Sequence, residues 1–151
     1  MRKLLSALFL FALPALAGAQ VMNPVKWNFT AKKLNASTFE LHMTAMIDPG
    51  WHMYAQDTGE GPVPTSFSFI KNPLVMPVGK AKELGKLKKE FDSNFNSEMK
   101  YYEQQVDFVQ TVTIKGKAAT KVKGVVEFMA CNDHECLPSK KLSFDMNVGG
   151  K

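Results

Sequence analysis

Hydrophobic residues recur at every second position through much of the chain, the signature of strands with one buried face. Over residues 38–48 Phe39, Leu41, Met43, Ala45 and Ile47 share one face, and Glu40, His42 and Thr44 the other. Residues 105–115 repeat the pattern with Val106, Phe108, Val112 and Ile114, and residues 140–148 with Leu142, Phe144, Met146 and Val148. A further strand rich in Val and Phe is expected at 121–130, with shorter ones at 25–33, 51–55 and 66–70. Turn residues separate these runs: Asp48-Pro49-Gly50, the 59–64 stretch, Asn72-Pro73, Lys115-Gly116-Lys117 and Leu137-Pro138. Seven or more half-buried strands predict an all-β fold, an immunoglobulin-like antiparallel β-sandwich.

Residues 79–90 break the pattern. They carry Lys80, Lys82, Lys86, Lys88 and Lys89, with Leu84 and Leu87 as the large apolar residues. The stretch reads as an edge strand guarded by Lys or as a short helix interrupted by Gly85, its basic face solvated.

The N-terminus is of a different kind. Arg2 and Lys3 precede an apolar run over 4–13, then Pro14 and an Ala17-Gly18-Ala19 cleavage signal. This is the layout of a secretory signal peptide over 1–19, too short in its apolar part to span a bilayer. A single immunoglobulin-like domain is expected over 20–151, exported and soluble, with no segment inserted in a membrane. No Cys follows the cleavage signal, so lipid attachment there is excluded.

Export changes the charge balance. The full chain of 151 residues carries +5. Without Arg2 and Lys3, 17 basic side chains face 14 acidic ones, a net +3. Such a balance gives no reason to expect nucleic acid as a partner. A hydrophobic fraction of 45% suffices for a core, and two Cys are too few for a disulfide-built scaffold.

Both Cys fall in Ala130-Cys131-Asn132-Asp133-His134-Glu135-Cys136-Leu137-Pro138, with four residues between them. A four-residue hairpin loop can set Cys131 opposite Cys136 at a separation a disulfide tolerates. Strict pairing outward from that point would set Val125 opposite Leu142 and bury Val125 and Met129 in place of Val126 and Phe128. A one-residue bulge near Pro138, which cannot donate to the ladder, is therefore expected.

Three uses of the pair remain open on the residues alone. A loop this short gains only about 2 kcal/mol from cross-linking, so a sandwich with its own core has little need of it as a pin. An exposed bridge at a hairpin loop is accessible to exchange. Asp133 and Glu135 disfavour a thiolate, whereas protonated His134 and Lys140 and Lys141 favour it. A Cu or Zn site would draw on Cys131, His134 and Cys136, with His42, Met43, Met46, His52 and Met53 as further donors. No second paired-ligand motif completes such a site. Met43 alternates with core residues and reads as packing, and His42 on the opposite face reads as solvated. G-x-S-x-G, a Gly-rich phosphate loop and H-E-x-x-H are all missing, so hydrolase chemistry finds no support.

The run Phe128-Met129-Ala130-Cys131-Asn132-Asp133-His134-Glu135-Cys136-Leu137-Pro138 resembles the active-site strand and loop of the N-terminal domain of the thiol:disulfide interchange protein DsbD. This domain also exists in stand-alone form, as the "disulfide bond corrector protein DsbC" family. Asp48-Pro49-Gly50-Trp51-His52-Met53-Tyr54 resembles that family's turn and aromatic strand, and residues 91–99 its acidic-aromatic cap loop. The likeness extends over residues 22–148.

The resemblance implies an immunoglobulin-like thiol–disulfide oxidoreductase domain that relays electrons by dithiol exchange. Its donor would be a membrane-bound, thioredoxin-like thiol–disulfide protein, and its acceptors thioredoxin-like periplasmic proteins. Cys131 and Cys136 would be the redox pair, with Cys136 forming the mixed disulfides. His52, Tyr54 and Asp92 would line the site, and Phe95 would belong to a cap shielding it. No metal or organic cofactor is implied. The chain ends at Lys151 without an electron carrier of its own, so donor and acceptor are expected to be separate polypeptides. The competing expectations are a non-catalytic binding module with a structural hairpin disulfide, and a periplasmic Cu or Zn carrier.

Overall fold

A computed structural model describes residues 22–93 and 95–150. The expected signal peptide over 1–19 lies outside the described residues. The strands in chain order are β1 (Val25–Lys33), β2 (Thr38–Ile47), β3 (His52–Tyr54), β4 (Ser66–Phe69), β5 (Val75–Gly85), β6 (Lys88–Asp92), β7 (Ser97–Tyr102), β8 (Gln105–Ile114), β9 (Thr120–Phe128), β10 (Ala130–Cys131) and β11 (Lys140–Val148). They form a front sheet ordered β1-β2-β8-β5, a back sheet β11-β9-β4 and an end sheet β10-β3-β7-β6. Every pairing between them is antiparallel. The architecture is an immunoglobulin-like sandwich, as the alternating pattern predicts.

Period-two burial builds the core between front and back sheets. On β2, Phe39, Leu41, Met43, Ala45 and Ile47 are all buried, and they meet Val122, Val126, Phe144, Met146 and Val148 of the back sheet. Aromatic rings bridge the layers: Phe29 stacks on Phe144 at 4.8 Å, and Trp27 meets Phe128 at 5.4 Å and Phe67 at 6.0 Å. Phe128 and Phe144 are buried, and full burial of such a ring contributes about 1.5–3 kcal/mol, whereas Trp27, Phe29 and Phe67 are partly buried and contribute less.

The end sheet continues the front one. Met46 pairs with Gln105 at the last step of β2–β8, and beyond it Met53 pairs with Tyr102 and Tyr54 with Tyr101. Between the two ladders the chain inserts the Asp48–Trp51 turn on one side and kinks on the other at Gln104, whose φ is +63°. The edge strand likewise runs from β5 into β6. The outermost position of the end sheet is taken by β10, where the chain, having left the back sheet after Phe128, pairs with β3. The disulfide thus lies where a strand crosses from one layer to the other.

Register near that crossing follows the sequence expectation. Val126 faces Leu142 and Phe128 faces Lys140, whereas Cys131 faces Cys136. The two pairings differ by one residue, taken up in the 137–139 segment around Pro138. Val126 and Phe128 are accordingly buried.

The Lys-rich stretch is not a helix. It forms the end of the edge strand β5 and most of β6, with its lysines largely exposed. A bulge interrupts β5 between Val78 and Lys82 at Gly79, whose φ of +68° favours glycine. The buried amide of Gln110 donates to the Val78 and Gly79 carbonyls at 3.1 and 3.4 Å. Polar side-chain bonding there replaces part of the broken ladder.

Candidate functional site

Alternation also assembles the site, on the outer face of the end sheet. Met53 and Tyr102 point into the main core. The neighbouring residues in each strand must then point away from it. On that outer side Tyr54, Met99, Tyr101 and Cys131 form a second buried cluster, with Phe95, Met129 and Cys136 packed against it. Cys131 is directly paired with His52, Tyr54 with Tyr101, and Asp92 with Ser97.

Cys131 and Cys136 are joined in a disulfide, with Cα atoms 4.1 Å apart. Asn132 shapes the intervening loop: its side-chain oxygen accepts from the amides of His134 and Glu135, both at 2.8 Å. The Asn132 amide donates to the Glu135 carbonyl at 2.9 Å, closing a turn typical of Asn. The two sulfur-bearing residues are unequal. Cys131 is 0% exposed, whereas Cys136 is only half-buried.

The Tyr54 hydroxyl is the polar centre of the cluster. Its single proton faces two acceptors, Asp92 Oδ2 at 3.0 Å and Cys131 Sγ at 3.3 Å, and His52 Nε2 lies 3.4 Å away. Burial, the hydrogen bond to Asp92 and that carboxylate's charge push the Tyr54 phenol well above its ordinary value. Burial lowers His52 below the ordinary 6.5, opposed by the charges of Asp92, Glu103, Asp133 and Glu90. Those groups line an open cleft of about 460 Å³ with Trp51, Phe91 and Tyr101. The Tyr101 hydroxyl donates to Glu90 at 2.6 Å.

Phe95 sits in the turn between β6 and β7 and folds back over the cluster, its ring 6.0 Å from Tyr54 in an edge-on contact. On its far side it lies against Gly61, where a side chain would collide with the ring. The turn is tied down where Ser97 Oγ donates to the Glu60 carbonyl at 3.1 Å.

The structure therefore brings Cys131, Cys136, His52, Tyr54, Asp92 and Phe95 together. It differs from the expectation in how the cap is built. Residues 91–99 are not one loop: Phe91 and Asp92 end β6 and Ser97–Met99 begin β7, leaving a tight turn. Met99, Tyr101, Glu90 and Glu103 were missed by sequence reasoning. The signal was there in the outward period of Ser97, Met99 and Tyr101, hidden by reading the stretch as a loop.

Two other sequence readings change. His42 is not simply solvated: its Nδ1 lies 2.7 Å from Asp107 Oδ2, whose other oxygen accepts from Thr44 at 3.0 Å. Thr44 and Asp107 face each other across β2–β8, which brings His42 within reach on the diagonal. Of the methionines weighed as metal donors, Met43 and Met53 are 0% exposed in the main core.

The family profile described as "Thiol:disulfide interchange protein DsbD, N-terminal" matches residues 19–147. Among solved structures, the N-terminal periplasmic domain of ScsB from Proteus mirabilis is 14% identical, with a TM-score of 0.60, over 92% of this chain. This chain spans about half (49%) of that one. The DsbD N-terminal domain of Neisseria meningitidis, in its reduced form, is 18% identical with a TM-score of 0.52, over 76% of this chain and 87% of that one. At such identities the structural likeness shows a shared fold. No curated protein sequence matches the chain.

Proposed function

The chain belongs to the family of DsbD N-terminal domains, and on that premise we propose that it is an exported thiol–disulfide relay. Cleaved after residue 19, it would act in the periplasm as one redox domain over 20–151. It takes electrons from a membrane-linked thioredoxin-like dithiol and passes them to periplasmic thioredoxin-like oxidoreductases. Cys131 and Cys136 are the reacting pair; His52, Tyr54 and Asp92 line it, and Phe95 caps it.

The observation that carries this reading is the asymmetry of the disulfide. A partner thiolate reaches the half-buried Cys136 and forms a mixed disulfide with it, so Cys131 leaves as a thiolate inside the cluster. There the Tyr54 hydroxyl, 3.3 Å from Cys131 Sγ, is placed to stabilise the departing charge. In the opposite direction the Cys136 thiolate attacks a partner disulfide and Cys131 resolves the adduct. Phe95 limits access to both steps until a partner displaces it.

Trapping tests the assignment. A Cys131→Ser variant, reduced and offered an oxidised thioredoxin-like protein, should accumulate a mixed disulfide through Cys136. A Cys136→Ser variant should give little or none. Equal trapping by both variants, or by neither, contradicts the proposed division of roles.

A further inference from the structure

We propose that His52 is the proton-exchange group for the buried Cys131 sulfur, acting through the Tyr54 hydroxyl. The inference rests on the relay reading and adds the route by which its proton moves.

Cys131 has no exposed surface, so its sulfur must gain or lose a proton through a neighbour. The only side-chain hydrogen bond recorded to it among the described residues comes from Tyr54, at 3.3 Å. Tyr54 is itself fully buried, and its phenol resists ionisation. It cannot hold a negative charge alone, but it can pass a proton on in the step in which it receives one. His52 Nε2 at 3.4 Å completes the path, and the ring borders the open cleft, where water can reach it. Backbone pairing fixes this arrangement, because His52 is both the ladder partner of Cys131 and two residues from Tyr54 on the same face.

Asp92 also accepts from Tyr54 and is the alternative terminus. Imidazole is the better match for a thiol proton, since ordinary values are about 6.5 for imidazole, 8.5 for a thiol and 4 for a carboxylate. The charged and titratable groups facing His52 are Glu90 and Asp92 on β6, Tyr101 on β7, Glu103 beyond it, Asp133 in the Cys loop, and Tyr54 on its own strand. The carboxylates favour its cation and burial opposes it. Burial wins, so at neutral pH the imidazole stands neutral and ready to accept.

The step balances as follows. The Cys136 thiolate attacks a partner disulfide, forming a mixed disulfide and releasing one partner thiolate. The Cys131 thiol then gives its proton to the Tyr54 oxygen as the Tyr54 proton passes to His52 Nε2. The Cys131 thiolate attacks Cys136 Sγ, the internal disulfide forms and the second partner thiolate leaves. Two electrons have moved to the partner, and His52 releases the proton to water in the cleft.

The test starts from reduced protein mixed with a nitrobenzoate disulfide, whose released thiolate is coloured. The first phase reports attack by Cys136 and the second resolution by Cys131. In the native protein the second phase should rise as pH increases through the His52 titration. At neutral pH it should slow about tenfold in His52→Phe and equally in His52→Gln, which keeps hydrogen bonding but takes up no proton. Tyr54→Phe should slow the same phase. A second phase unchanged in rate and pH profile in the His52 variants overturns the inference while leaving the relay intact. Native protein that never releases the second thiolate overturns the relay, and the inference falls with it. Independently of any variant, the ring titration of His52 followed by NMR should move between the oxidised and reduced proteins. Identical midpoints would also overturn the inference.

Discussion

The ring of Phe95 occupies the space that a side chain at Gly61 would need. Gly61 also has a φ of +120°, a conformation that residues with a Cβ rarely adopt. The cap is therefore seated on a glycine in the 56–65 connection as well as held by its own hairpin. That connection is itself pinned to the site, since Thr65 Oγ1 donates to the Tyr54 carbonyl at 2.6 Å.

Gly61→Ala should lift Phe95 from its seat at a cost of about 1–3 kcal/mol in stability. Reduction of the disulfide by dithiothreitol should then become faster, because access to Cys136 limits it. Phe95→Ala should give the same acceleration without the backbone strain. Unchanged rates in both variants would mean that Phe95 shields nothing.

All three tyrosines of the chain are held above their ordinary value of 10.0, first by burial and then by the carboxylates of Asp92, Glu90 and Glu83 that accept from them. For an acid raised in this way, the unfolded chain ionises first as pH rises. The stabilising contribution is present below pH 10 and is lost above it. In an ultraviolet titration, tyrosinate absorbance should appear together with alkaline unfolding measured by circular dichroism. Appearance near pH 10 in folded protein would contradict these environments.

His52 gives the opposite limb. Its folded value lies below the ordinary 6.5, so as pH falls the unfolded chain binds a proton before the native state does. This group's effect on stability is absent above about pH 7 and becomes destabilising in the window below 6.5. Urea midpoints measured from pH 7 to 5 should decline less steeply in His52→Phe than in the native protein.

Removing both sulfurs should leave a folded sandwich. The main core lies between the front and back sheets and includes neither Cys, and Asn132 closes the loop through its own hydrogen bonds. Cys131→Ser combined with Cys136→Ser is expected to cost about 2 kcal/mol in urea unfolding and to keep one cooperative transition. Loss of that transition would favour a disulfide that mainly pins the hairpin.

Much of this arrangement was legible because it rests on period two. Phe39 to Ile47, Val106 to Ile114 and Leu142 to Val148 read directly as core strands. The bulge near Pro138 was legible because Leu142 has to face a residue buried with it, Val126 and not Val125. Cys131, Cys136 and the residues gathered around them could be named because the stretches 128–138, 48–54 and 91–99 resemble motifs of the family. What escaped was set by long-range pairing. Tyr101 enters the site because β7 lies between β3 and β6, and sequence order alone does not fix that adjacency. His42 meets Asp107 for the same reason, across strands 65 positions apart. The charges of β6 left an edge strand and a short helix both open, since Lys88, Lys89 and Glu90 offer no apolar alternation to decide between them.

The equilibrium reduction potential of Cys131–Cys136, measured by alkylation mass shift across dithiol buffers, tests the relay most directly. A value well above about −300 mV, in the range of exchanging pairs, is predicted. A value clearly below that line would make the bond a structural bridge and contradict electron transfer through it.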